Sequence, residues 1–155
     1  MSFSARMLEP RPLLVGLALC VALTGGGCTS SESLPPAAPS NPLPECPERP
    51  NCERISTTSP LPADSLFDRT AAALRALEPV RLDRRPDSMQ AAAVYQVAWL
   101  FRDDVAVAVA PRSAGSRLHV RSASRTGYSD LGVNRRRVQR LLDRLPIAAE
   151  SQASE

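Results

Sequence analysis

Eight of the fifteen prolines fall between Thr29 and Pro60, and they limit what that part of the chain can fold into. Its centre, SLPPAAPSNPLPECPERPN, combines ring-locked backbone positions with few large apolar side chains, so ordering it would bury little surface. It is expected to be an extended tether. At about 3 Å per residue in a polyproline conformation, such a segment spans tens of ångströms. Within 155 residues this leaves one domain, expected over residues 61–146.

The residues before the tether read as a targeting segment. Arg6 and Arg11 precede an apolar run, Leu13 to Thr24, which is followed by GGGC ending at Cys28. A basic flank, a short apolar core and small residues describe a secretory signal. The run is well short of the roughly 20 residues a spanning helix needs. A cysteine after small residues resembles a bacterial lipobox, so residues 1–27 are expected to be removed and Cys28 to carry lipid. Cys20 is a poorer candidate, because Leu19 before it is large. Thr29 rather than Asp follows Cys28, the pattern of lipoproteins sent to the outer membrane of a Gram-negative cell. The expected location is the cell envelope, on the periplasmic face of that membrane.

Cysteine usage fits an exported chain. Cys46 and Cys52 remain in CPERPNC, and an oxidising compartment favours a disulfide between them. Closing so short a loop contributes roughly 2 kcal/mol by the loop-entropy relation. The spacing matches neither a redox Cys-x-x-Cys pair nor a zinc pattern, and His119 is the only histidine. No metal and no cofactor are expected.

All 19 basic residues are arginine, and they are unevenly placed. Residues 28–111 hold eight arginines and eleven acids, whereas residues 112–145 hold nine arginines and two acids. Nucleic acid is not the expected partner, since an exported domain rarely meets it and few aromatics are available to stack on bases.

Periodicity then orders the domain. Leu66, Phe67, Thr70, Leu74 and Leu77 form one stripe of a helix from Asp64, its expected N-cap, to Leu77. A short strand is expected at Val80–Asp83, then a turn at RRPDS. A second strand runs from Ala91 to Phe101 with Tyr95, Val97, Trp99 and Phe101 on one face, and RDD turns the chain. Val105, Val107 and Val109 alternate with alanines in a third strand. PRSAGS is a hairpin turn, and Leu118–Ala123 returns with Arg117, His119 and Arg121 on the outward face. A last helix, Asn134 to Leu145, carries Val138, Leu141, Leu142 and Leu145 at helical spacing, and residues 147–155 form a tail. The class is α+β: a small two-layer sandwich, with an antiparallel sheet of three to four strands and two helices on one face.

One stretch breaks a local rule. Asn134 reads as the N-cap of the last helix, which places Arg135, Arg136 and Arg137 in its first turn. Cations there oppose the helix dipole by about 0.3–1 kcal/mol each. Either nearby acids compensate, with Asp130, Asp103 and Asp104 in reach, or the site holds an anion among guanidinium groups and free N–H groups. Arg121, Arg125, Asn134, Arg135, Arg136 and Arg137 are the candidate anion-binding residues. Ser122, Ser124 and Ser129 lack a histidine partner and a nucleophile elbow, so serine catalysis is not expected. His119 reads as a surface residue, and Asp103 and Asp104 as turn and ion-pair residues.

CPERPNC, WLFRDDVAVAV and LHVRSASRTGYSDLGVNRRRVQRL together resemble the family catalogued as domain of unknown function 1499. Its members share a Cys-Pro-x-x-Pro-Asn-Cys segment, an Asp-Asp pair and an Arg-Ser-x-Ser-Arg-x-Gly-x-Ser-Asp-Leu-Gly-x-Asn-Arg signature. The likeness runs from Cys46 to about Leu145 and implies a complete domain without implying an activity. The expected function is that of a lipid-anchored envelope protein recognising an anionic envelope component, a lipid headgroup or an envelope protein. The alternatives are a structural protein–protein interaction domain, or an enzyme using Arg121, Arg125, Tyr128 and Asp130.

Overall fold

The valine–alanine alternation at residues 105–110 forms the middle of the fold. The computed structural model describes residues 40–147. The expected signal segment, Cys28, the first part of the tether and the tail from residue 148 lie outside the described residues. In chain order the elements are β1 (Cys52–Ser59), α1 (Ala63–Ala76), β2 (Arg81–Arg85), β3 (Gln90–Val97), β4 (Phe101–Pro111), β5 (Ser116–Ser124) and α2 (Val133–Leu142). A single 3₁₀ turn, Pro86–Ser88, joins β2 to β3.

The strands make one antiparallel sheet in the order β1-β5-β4-β3-β2. Register places Val107 opposite both Ala91 and Val120. Ala91, Ala93, Tyr95, Val105, Val107, Val109, Leu118 and Val120 therefore share a face. They pack with Leu66, Phe67 and Leu74 of α1 and Val138 and Leu141 of α2 in one core. Both helices cover that face, as expected. Burying a leucine or phenylalanine of this kind contributes about 1.5–3 kcal/mol. α1 crosses the sheet from the β1 edge to the β2 edge, and Glu78 in a left-handed conformation, followed by Pro79, stops it.

Five strands replace the expected three to four. The additional one is β1, in a stretch assigned to the tether. Its sequence, CERISTTS, has Ile55 as its one large aliphatic side chain, so no apolar alternation marks it. It is an edge strand held by its ladder to β5 and by hydroxyls such as Ser59 Oγ, which donates to the Pro146 carbonyl at 2.7 Å. The β4–β5 hairpin abuts its end: Gly115 has a positive φ, and a Cβ there would collide with the Ser59 carbonyl oxygen.

Other boundaries shift for local reasons. Asp64 lies inside the first turn of α1 and Pro62 occupies the N-cap position. The β3–β4 hairpin turns at residues 98–100, so Asp103 and Asp104 are strand residues, not turn residues. His119 is buried, not exposed: its Nδ1 lies 2.7 Å from Ser56 Oγ, and Asn41 Nδ2 donates to that hydroxyl at 3.2 Å. The lead-in at residues 41–45 thus lies against β1, with Arg54 donating to the carbonyls of Asn41 and Leu43. Burial, with Arg117 and Arg54 nearby, holds the His119 pKa below its ordinary 6.5.

Candidate functional site

The RSASRTGYSDLGVNRRR segment leaves β5, turns and enters α2 at one end of the sheet. Its polar side chains go inward first. Ser122 Oγ donates to Asn134 Oδ1 at 2.6 Å, and Asn134 Nδ2 donates to Ser124 Oγ and to the Asn51 carbonyl, each at 3.0 Å. Ser124 Oγ donates to Asp103 Oδ1 at 2.7 Å. Arg137 Nη1 lies 2.8 Å from Asp103 Oδ2 and also donates to Asn134 Oδ1 at 2.9 Å. Its guanidinium stacks over the Tyr95 ring, 4.9 Å from the centroid.

Ser122, Ser124, Asp103, Asn134 and Arg137 each have a partner within this cluster, which is what makes burying an ion pair tolerable. Burial pushes the Tyr95 phenol up to about 12 against the opposing pull of Arg137, so it stays a neutral donor to the Leu74 carbonyl at 2.9 Å. The disulfide joins Cys46 and Cys52, with Cα atoms 5.7 Å apart. It closes the loop that carries Asn51, whose Nδ2 donates to the Gly127 carbonyl at 2.8 Å. The Pro-Asn-Cys segment and the Arg-Ser-x-Ser-Arg segment therefore make one joint.

The start of α2 differs from expectation. Gly132, with φ 76°, occupies the N-cap position, and Asn134 is a buried first-turn residue. The cap itself is Asp130: its Oδ1 accepts the Gly132 N–H at 2.9 Å and its Oδ2 the Asn134 N–H at 2.6 Å. Burial would raise the Asp130 pKa, but these backbone N–H groups prevail and lower it below the ordinary 3.8. A carboxylate from the chain thus sits where a bound anion was one of the two readings.

The candidate arginines separate around this joint. Arg137 is buried on Asp103, while exposed Arg135 lies 3.5 Å from Glu53. Arg136 donates to the Leu131 carbonyl at 3.0 Å. Arg125 grips Asp104 on the other face of the sheet, with Nε and Nη2 donating at 2.9 and 2.7 Å. Arg121 lies on that outer face within β5. Successive residues on a helix point about 100° apart, and the three arginines of the run accordingly have three different partners. No cluster able to hold a metal occurs among the described residues.

A second feature was not legible in the sequence. Large exposed apolar side chains among the described residues are Val80, Trp99, Leu100, Phe101, Tyr128 and Leu131. Register puts all of them at one end of the sheet. The Val80 N–H donates to the Val94 carbonyl near the end of β3, residues 98–100 form the hairpin tip, and Tyr128 and Leu131 lie in the loop leaving β5. Between tip and loop lies a cleft of about 350 Å³ with Val97, Phe101, Leu131 and Val133 on its walls and Asp103 and Ser124 at its floor. Asp130 and Arg136 also line it, whereas Arg121, Arg125 and Tyr128 do not.

Periodicity hid the tip. Val97 pairs with Phe101 across a three-residue link, which preserves odd–even parity, so the inward alternation runs unbroken from residue 91 to 109. Solvent exposure alone separates Trp99 and Leu100 from the apolar residues of the core.

The arrangement defines a class: a small antiparallel sheet under two helices, with a disulfide-pinned polar joint beside an apolar loop end. The chain belongs to the family described as protein of unknown function DUF1499, whose model matches residues 42–145. No curated protein matches it. Among solved structures it is similar to Ara h 8.0201, with 11% identity and a TM-score of 0.46 over 60% of this chain and 93% of that one. It is also similar to the di-domain ARO/CYC BexL from the BE-7585A biosynthetic pathway, with 14% identity and a TM-score of 0.42 over 59% of this chain and 41% of that one. A structural-genomics target from Chromobacterium violaceum has 13% identity and a TM-score of 0.42 over 63% of this chain and 96% of that one. All three are remote likenesses of shape and carry no functional meaning for this chain.

Proposed function

We propose that this chain is a lipid-anchored protein of the bacterial cell envelope whose domain docks, without chemistry, onto an anionic envelope component through its loop end. One observation carries the reading: the large exposed apolar side chains among the described residues gather at that end. Scattered singly they would need no explanation, but a cluster in one place marks a contact surface. The charge balance of the last third of the domain favours an anionic partner. The polar joint beneath the cleft supports binding over catalysis, because its serines and its aspartate are engaged with one another.

A photocrosslinking residue in place of Tyr128 tests this in cells, with one in place of Ala114 at the opposite end as the control. Adducts at position 128 and none at 114 are expected; equal or absent labelling at both positions ends the proposal. Metabolic labelling with a fatty acid should mark the chain and fail to mark Cys28→Ser, and label that persists in the variant would remove the lipid anchor from the reading.

A further inference from the structure

Resting on that reading of the loop end, we infer that the component is the surface of an anionic lipid bilayer. The hairpin tip and Leu131 enter it, while Arg102, Arg136 and Arg140 engage its phosphates.

The tip has no role in its own fold. Trp99 is 95% exposed, Leu100 85% and Leu131 86%, so almost none of their apolar surface is buried against the domain. Leu131 adopts φ 53° in the turn through which Asp130 caps α2, and that turn presents its side chain to solvent. The feature is convex: a turn of Ala98, Trp99 and Leu100 beyond the last pair of the β3–β4 ladder. A projecting indole and two leucines suit insertion at the headgroup level, where tryptophan is favoured.

Charge decides between a membrane and a protein. The acids at this end are engaged: Asp103 with Arg137, Asp104 with Arg125, and Asp130 with the N–H groups of α2. Arg102, Arg136 and Arg140 have no carboxylate within ion-pair distance among the described residues. They flank the tip. Arg102 Nε donates to Gln96 Oε1 at 3.4 Å at its base, Arg136 lines the cleft with Phe101 and Leu131, and Arg140 lines a neighbouring hollow that Gln96 also borders. Glu78, which lines the same hollow as Arg140, is the one acid nearby without such an engagement. Guanidinium groups around an apolar projection match phosphates around acyl chains, with arginine stems lying along the apolar layer and heads reaching the phosphates.

The chain holds its own reporter, because Trp99 is its single tryptophan. The full chain is reconstituted on vesicles of phosphatidylcholine, and on vesicles of phosphatidylcholine mixed with an equal part of phosphatidylglycerol. Emission is read with and without brominated acyl chains. On the anionic vesicles Trp99 should shift to shorter wavelength and be quenched by the brominated chains; on phosphatidylcholine alone it should remain solvent-like. Each arginine near an anionic surface is worth about fivefold in partitioning, so R136Q with R140Q should weaken the shifted population about 25-fold. L131D should abolish the shift while leaving the far-ultraviolet spectrum intact.

A solvent-like Trp99 on both vesicles overturns the inference, as does a shift that L131D leaves unchanged or one equal on both compositions. If Trp99 stays wet while position 128 crosslinks to a protein in cells, the bilayer is excluded and the docking end stands. If Trp99 stays wet and position 128 captures nothing, both fall.

Discussion

Asp103 and Trp99 lie four residues apart, and their surroundings are opposite. Asp103 is buried and bonded to Arg137 and Ser124, whereas Trp99 touches almost nothing. The same contrast repeats across α2, where Asn134 is enclosed and Leu131 projects. Polar residues have gone in and apolar residues out, the reverse of the usual partition. The inward group is coherent because each member satisfies another, which a buried ion pair requires. The outward group has no internal reason. The long Arg-Ser-x-Ser-Arg signature therefore holds residues of both kinds: Ser122, Ser124, Asp130 and Asn134 are engaged within the loop end, while Leu131 projects from it.

The comparison breaks first at Arg137. R137A leaves the Asp103 carboxylate buried without its counter-ion and should cost about 3–5 kcal/mol in urea unfolding. A loss below 1 kcal/mol would mean the joint is ornamental. Opening the disulfide with C46S and C52S should cost roughly 2 kcal/mol and loosen Asn51 from the joint. Hydrogen exchange at the Ser124 and Asp130 amides, which donate to the Asn51 and Pro50 carbonyls, reads that loosening, and unchanged protection would separate the disulfide from the joint.

A pH series sharpens the contrast by perturbing a third place. His119 has a folded pKa below 6.5, so the unfolded chain takes up the proton first. Its contribution is full above pH 6.5 and is lost as pH falls from there toward the folded value. Melting should track that window, H119Q should flatten it, and Trp99 emission should not respond. The smallest effect is expected at the tip. L100A with L131A should change stability by no more than about 0.5 kcal/mol, since neither side chain is packed. A larger loss would show that the tip supports the fold after all.

How much of this was legible follows from what periodicity measures. The stripe of α2 and the valines of β4 announce their inward faces, and both do face the core. β1 carries no such stripe, so its hydrogen-bonding partner makes it a strand. Asp64 and Asn134 were expected to cap helices because both residue types suit that position. Asp130, four residues before Asn134, reaches the N–H groups of α2 instead, across a turn whose left-handed Leu131 and Gly132 no pattern of residue types declares.

The sequence by itself determined the two helices, the Val-Ala strand, the disulfide partners and the concentration of arginine in the last third. These rest on local spacing, composition and short loop closure, which the chain carries wherever it lies. Tertiary structure alone decided that Arg137 is an internal counter-ion while Arg136 is a surface group, and that Trp99 is a tip and not a core residue. Burial and pairing depend on which distant segments meet. Asp103 and Arg137 meet only because α2 packs back over the sheet against β5, the strand next to β4.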